Sequence, residues 1–136
     1  MKVNTENIFQ VIEIPVSCSD IYDAFLNESR HSQFTGMTAE IDGRIGGEFS
    51  ACDGRATGRI LQLVKNKRIV VAWTHKRFPA NHFTIVDMKL ESNENGCRIS
   101  FNHTGLPESC DGWMTDTWQK TYWVPLREYM ESAVEA

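Results

Sequence analysis

A chain of 136 residues fits one domain and leaves little for a second, and its 41% hydrophobic and 24% charged side chains exclude a disordered or fibrous protein. With 14 basic against 18 acidic side chains the net charge is -4, which repels phosphate backbones and excludes nucleic acid as an expected partner. The amino terminus, MKVNTENIFQVIEIPV, has no apolar run of signal-peptide length, and no stretch approaches the roughly 20 apolar residues of a membrane span, so the expectation is a cytoplasmic protein without an anchor.

Residues 8–14, IFQVIEI, alternate as a strand with Ile8, Ile12 and Ile14 on one face, and Pro15 ends it. Ser17-x-x-Asp20 then has the spacing of a capping box, which predicts a helix carrying Ile21, Tyr22, Phe25 and Leu26 on one side. From Gly36 onward the punctuation changes to Asp42-Gly43, Gly46-Gly47, Asp53-Gly54 and Asn95-Gly96, dipeptides that supply the positive φ of tight hairpins and so predict antiparallel strands.

A two-residue loop fixes which residues face each other. With Asp53-Gly54 as the loop, Phe49 lies opposite Gly58. With Asn66-Lys67, Ile60 faces Trp73, Gly58 faces His75 and Val64 faces Ile69. With Asn95-Gly96, Leu90 faces Phe101 and Met88 faces His103. Phe49, Ile60, Val71, Trp73, Val86, Met88, Leu90, Ile99 and Phe101 then share one concave apolar face, interrupted only by Gln62 opposite Val71.

The cover for that face is the last segment, predicted as one long helix from an N-cap at Ser109 to about Ala133. Met114, Trp118, Tyr122, Leu126, Tyr129 and Ala133 recur along it at intervals of three and four. Asp111 suits the positive end of the helix dipole, Asp116 and Lys120 form an i,i+4 pair, and Pro125 should kink the helix by removing the bond to Thr121. The predicted fold class is α+β: a curved antiparallel sheet gripping one long carboxy-terminal helix, with residues 1–136 as a single domain.

Little in the sequence carries chemistry. Cys18, Cys52, Cys97 and Cys110 form no CxxC pair and stand at no chelating interval from a histidine, so they read as thiols in a reducing compartment, and no metal or cofactor is expected. No GxSxG elbow, Walker loop or GxGxxG occurs, and the glycines read as turn residues. Lys65, Lys67 and Arg68 solvate a hairpin tip.

His75 and His103 fall on the concave face at the sheet's end, where each either bonds a polar ligand group or is a hydrogen-bonded histidine of the core or rim. Trp113, Trp118, Tyr122 and Trp123, facing Trp73 and Phe101, either line an apolar ligand cavity or fill a core. The ligand-binding candidates are Phe49, Trp73, His75, Met88, Phe101, His103, Trp118 and Tyr122. In the loop KRFPANHF, residues 76–83, Lys76, Arg77 and Phe78 combine as an interface anchor with a basic rim, or else form a solvated connection with Phe78 tucked beneath.

The stretch DGRATGRILQLVKNKRIVVAWTHKRFPANHFT, followed by CRISFNHTGLPESCDGW, resembles the carboxy-terminal domain of the activator of heat-shock protein 90 ATPase family. Its most specific pieces are Asp53-Gly54 with Gly58, Arg68-Ile69-Val70 leading to Trp73, Phe78-Pro79 with His82-Phe83, Gly105-Leu106-Pro107, and Gly112-Trp113, in that order. The resemblance implies a START-like, helix-grip fold: a curled sheet of about six or seven strands on a long terminal helix, with two short helices after the first strand. It also implies two kinds of function, a stress-response co-chaperone that binds heat-shock protein 90, or a single domain that binds hydrophobic small molecules. The sequence does not contain the activator's separate amino-terminal domain with its Asn/Trp-rich motif, so any co-chaperone role is expected in reduced form.

The reading preferred from sequence is a non-enzymatic domain holding a hydrophobic small molecule between sheet and helix. Its alternatives are a heat-shock protein 90 interaction module and a polyketide cyclase or aromatase using His75 or His103 as acid or base.

Overall fold

Alternation in TENIFQVIEI carries β1 (Thr5–Ile14), whose Ile8, Ile12 and Ile14 are buried while the residues between them are exposed or half-buried. The structure, a computed structural model, describes residues 4–135, with side chains through residue 132. Helix α1 (Cys18–Leu26) starts at Ser17, whose Oγ accepts from the Asp20 N–H at 3.1 Å and donates to the Asp20 carboxylate at 3.2 Å. Helix α2 (Glu28–Thr35) starts at Asn27, whose Oδ1 accepts from the Arg30 N–H, and ends on Gly36 at φ 71.

The remaining strands are β2 (Glu40–Ile41), β3 (Glu48–Ala51), β4 (Ala56–Val64), β5 (Arg68–His75), β6 (Thr84–Asn93) and β7 (Gly96–Pro107). They form one antiparallel sheet in the order β1-β7-β6-β5-β4-β3-β2, a meander whose last strand returns beside the first. Phe49 pairs with Gly58 as predicted. Glycine is required there, because a Cβ at position 58 would overlap the Ala72 carbonyl oxygen and come within 2.7 Å of the Phe49 ring.

Two of the predicted registers are corrected. Val64 pairs with Arg68 across a loop of Lys65, Asn66 and Lys67, with Asn66 at φ 62, and a bulge between Ile60 and Gln62 shifts the ladder once more. The partners are therefore Leu63 with Ile69, Ile60 with Val71, Gly58 with Trp73 and Ala56 with His75. Because the two slips sum to two residues, Ile60, Val71 and Trp73 keep the predicted face, and exposed Gln62 no longer interrupts it.

The last hairpin closes on Glu94-Asn95 rather than Asn95-Gly96, pairing Leu90 with Ile99, Met88 with Phe101 and Val86 with His103. Gly96 is held as the first residue of β7, at φ 137, by its close approach to Pro15, where a Cβ would lie 2.7 Å from the Pro15 Cα.

The terminal helix is α3 (Asp111–Trp118), a π-helical turn (Gln119–Trp123) and α4 (Val124–Glu135). Its predicted cap at Ser109 is corrected: Ser109 stands at φ 69, and the N-cap position is Cys110, which makes no side-chain cap bond. The strain expected of Pro125 is absorbed one turn earlier, where the Val124 N–H reaches back to the Gln119 carbonyl. One extra residue in that wide turn rotates the apolar stripe, so Tyr122 and Trp123 are both buried and Met130 takes the inward place predicted for Tyr129, which is half-buried. The side chain of Ala133, assigned to the same stripe, lies outside the described residues. The Asp116–Lys120 pair forms at 3.0 Å.

Trp123 Nε1–H donates to Gln10 at 2.8 Å and Arg127 to the Glu13 carbonyl at 2.8 Å, fastening the helix to β1. Arg30 donates to the Tyr129 hydroxyl at 3.1 Å and fastens it to α2. Cys18 and Cys97 are paired as a disulfide with Cα atoms 5.0 Å apart, which corrects the reading of all four cysteines as thiols; Cys52 and Cys110 are free. Among the described residues no helix is long and apolar enough to cross a membrane.

Candidate functional site

Trp118 and Tyr122 project from the terminal helix into the bowl of the sheet and, with Trp73 of β5, form a wall between two spaces. Trp118 and Tyr122 lie 4.5 Å apart between ring centroids, and Tyr122 stacks on Phe25 of α1 at 5.9 Å. On the inner side is a void of about 60 Å³ lined by Phe49, Ile60, Val71, Met88, His31 and Leu26, almost wholly apolar. On the outer side is a pocket of about 200 Å³ whose lining includes Arg55, His75, Arg77, Trp113, Thr117 and Cys52.

Six of the eight ligand-binding candidates named from sequence line these spaces. Phe49 and Met88 face the inner one, His75 the outer, and Trp73, Trp118 and Tyr122 both. Phe101 and His103 do not. Phe101, fully buried, packs against Trp118 at 4.5 Å and Trp123 at 5.1 Å behind the wall.

His103 is a structural clamp. The Thr84 hydroxyl donates to the Trp73 carbonyl at 2.7 Å, so toward His103 it is an acceptor, taking the Nε2–H at 2.8 Å; Nδ1 accepts the Trp118 indole N–H at 3.0 Å. Both nitrogens are committed in an apolar surrounding, and burial pushes the imidazole pKa down to about 3. The clamp orients Trp118 through its indole, and orients Thr84 against β5.

His31 of α2, which sequence reasoning passed over, holds the other half of the wall. Its Nδ1–H donates to the Phe25 carbonyl at 2.9 Å and its Nε2 accepts the Tyr122 hydroxyl proton at 3.1 Å. Burial lowers its pKa, so it stays neutral. The Cys52 thiol lies 3.7 Å from the same hydroxyl, and burial raises its pKa. No spacing in the sequence signals this triad, which joins a short helix, a turn and the terminal helix.

His75 is different. Its Nδ1 accepts the Arg77 backbone N–H at 3.1 Å, which places the proton on Nε2, and burial followed by the charges of Arg77 and Arg55 lowers its pKa. Arg77 lies 4.3 Å above the Trp113 ring, a cation–π contact. Lys76 and Arg77 are exposed, but Phe78 is buried, edge-on to Trp73 at 5.7 Å, which corrects its reading as an interface anchor and leaves a basic rim without a protruding aromatic. Chemically the site offers an apolar floor and neutral or cationic hydrogen-bond donors. Among the described residues no group of three or more His, Cys, Asp or Glu is placed to hold a metal.

The family model described as Activator of Hsp90 ATPase homolog 1-like protein matches residues 15–131. The human Activator of 90 kDa heat shock protein ATPase homolog 1 is 24% identical over 112 residues, which cover 82% of this chain and 33% of that protein. The chain thus spans about a third of the length of the curated relatives it matches. An HSP90 activator from Plasmodium falciparum superposes with a TM-score of 0.83 at 18% identity, covering 93% of this chain and 96% of that one. CalU16 from Micromonospora echinospora does so with a TM-score of 0.75 at 18% identity, covering 96% and 78%. At these identities the two structures share the fold, a START-like helix-grip.

Proposed function

We propose, given that this chain belongs to the Activator of Hsp90 ATPase homolog 1-like family, that it is a non-enzymatic binding domain which holds a small apolar molecule between its sheet and its long helix. The observation that supports this reading is an almost wholly apolar space on one side of Trp118 and Tyr122, whose side chains it shares as a wall with a second, more polar pocket. Its volumes, about 60 and 200 Å³, fall below the ~300 Å³ at the low end of drug-sized sites. The guest is therefore small, or spans both spaces when the wall turns aside.

A cyclase or aromatase is disfavoured by the histidines. His103 and His31 have both ring nitrogens committed within the core, and His75, neutral with Nδ1 occupied, has no carboxylate hydrogen-bonded to it to tune it as a base. Native mass spectrometry of the protein purified from its source cells tests the proposal: a bound species released by organic solvent is expected, and a bare chain mass under the gentlest conditions overturns it.

A second reading, favoured by the printed names of the human relative and of the Plasmodium structure, is contact with Hsp90 through the exposed rim of Lys76 and Arg77. Titration with purified Hsp90 should give saturable binding weakened by Lys76→Glu with Arg77→Glu; no binding at high micromolar concentration removes it.

A further inference from the structure

We infer that the outer pocket is an anion site, so that the molecule held by this domain carries a carboxylate at Arg55 and Arg77 and turns its apolar part toward Trp118 and Tyr122. The inference rests on the apolar-ligand reading above and names the chemistry of the other end of the ligand.

Charge pairing across the molecule singles out these two arginines. Arg30, Arg44, Arg59, Arg68 and Arg98 each pair with a carboxylate, and Arg127 donates to a backbone carbonyl. Arg55 and Arg77, the two arginines that line the outer pocket, have no carboxylate within ion-pair distance among the described residues. Arg55 gives its Nε–H to the Cys52 carbonyl at 3.1 Å, and its one other side-chain acceptor among the described residues is the Met37 sulfur, a weak one. Arg77 spends its face on Trp113 and keeps its edge donors.

The rest of the lining agrees in sign. Among the described residues no Asp or Glu lines the pocket, although the chain as a whole carries a net charge of -4. His75 presents an Nε2–H, since its Nδ1 is occupied by the Arg77 backbone. Thr117 and Thr121 face the pocket, and the indole Nε1 of Trp113 is buried without a hydrogen-bond partner among the described residues. A planar carboxylate matches the guanidinium fork, and the shared wall of Trp73, Trp118 and Tyr122 sets the apolar void directly behind it.

The test compares two probes of equal chain length, octanoate and 1-octanol, titrated into the full chain and followed by the indole N–H signals of its four tryptophans. Both should bind saturably, octanoate about 10-fold or more tightly at low salt, with the gap narrowing as salt is added. The Trp113 signal should move downfield with octanoate only. The double variant Arg55→Gln, Arg77→Gln, checked as folded by circular dichroism, should bind octanoate no more tightly than 1-octanol. Equal affinity of the two probes for the parent overturns the anion site while leaving the apolar reading in place, and failure of both to bind at millimolar concentration overturns that reading as well. Octanoate binding that survives the double variant unchanged overturns the assignment to these arginines.

Discussion

Replacing His103 by Gln should cost stability at neutral pH and cost less, or nothing, in acid. At neutral pH the change removes a ring that accepts from Trp118 and donates to Thr84; leaving a buried indole N–H unpaired costs about 1–3 kcal/mol. The acid arm follows from linkage. Burial holds the folded imidazole near pKa 3, against 6.5 for the ordinary group, so the unfolded chain binds this proton more tightly. The stability contributed by neutral His103 is therefore complete above about pH 7 and is lost as pH falls from 6.5 toward 3. At pH 4.5 the gap between unfolded and folded protonation spans about two pH units, or about 2–3 kcal/mol. Gln does not titrate, so the variant escapes that loss, while the acid sensitivity of His31 and the carboxylates is common to both proteins and cancels. Urea denaturation read by far-ultraviolet circular dichroism at pH 7.0, 5.5 and 4.5 should show the deficit of the variant shrinking by about 2–3 kcal/mol. Two stability curves that stay parallel across that range refute a desolvated, neutral His103.

Gly58→Ala sets a methyl against the Ala72 carbonyl and the Phe49 ring, and should cost about 1–3 kcal/mol or prevent folding, read as a lower denaturant midpoint; an unchanged midpoint contradicts the close approach of β3, β4 and β5. Alkylation in denaturant without reductant should add two adducts, on Cys52 and Cys110, and with reductant four; four in both conditions contradicts the Cys18–Cys97 bond. Closing a loop with a sequence separation of 79 residues, that bond should contribute about 4 kcal/mol on a chain-entropy account, lost on reduction.

The faces of the strands were legible in the sequence because side-chain direction depends only on parity. The β6–β7 register was misjudged by two residues throughout and the β4–β5 register by two from Ile60 to Ala56, and a shift of two returns a side chain to its own side. Only between the loop and the bulge, where the error is one residue, does Leu63 rather than Val64 face Ile69. What parity cannot supply is the position of a bulge or the length of a loop, which depend on Asn66 accepting a left-handed backbone and on Gly96 meeting Pro15, a neighbour 81 positions away in the numbering. The helix stripe was legible through Tyr122 and Leu126; the π-helical turn adds Trp123 to it, and past Leu126 the inward place passes from Tyr129 to Met130. Within the site, the aromatic wall followed from periodicity. The arginine pair and His31 did not, because their meaning comes from partners on other elements: carboxylates that are missing near Arg55 and Arg77, and a tyrosine 91 residues from His31. The Cys18–Cys97 pairing was hidden for the same reason.

The measurement that reaches the central claim most directly is a titration of methyl-labelled methionine with 1-octanol. Met88 lines the inner void, Met37 and Met114 the outer pocket, and Met130 is buried in α4 apart from both. A small apolar guest between sheet and helix should move the Met88 methyl signal saturably, leave Met130 in place, and lose its effect in Val71→Phe, which fills the void. A Met88 signal that never moves, or five signals that drift together without saturation, contradicts it.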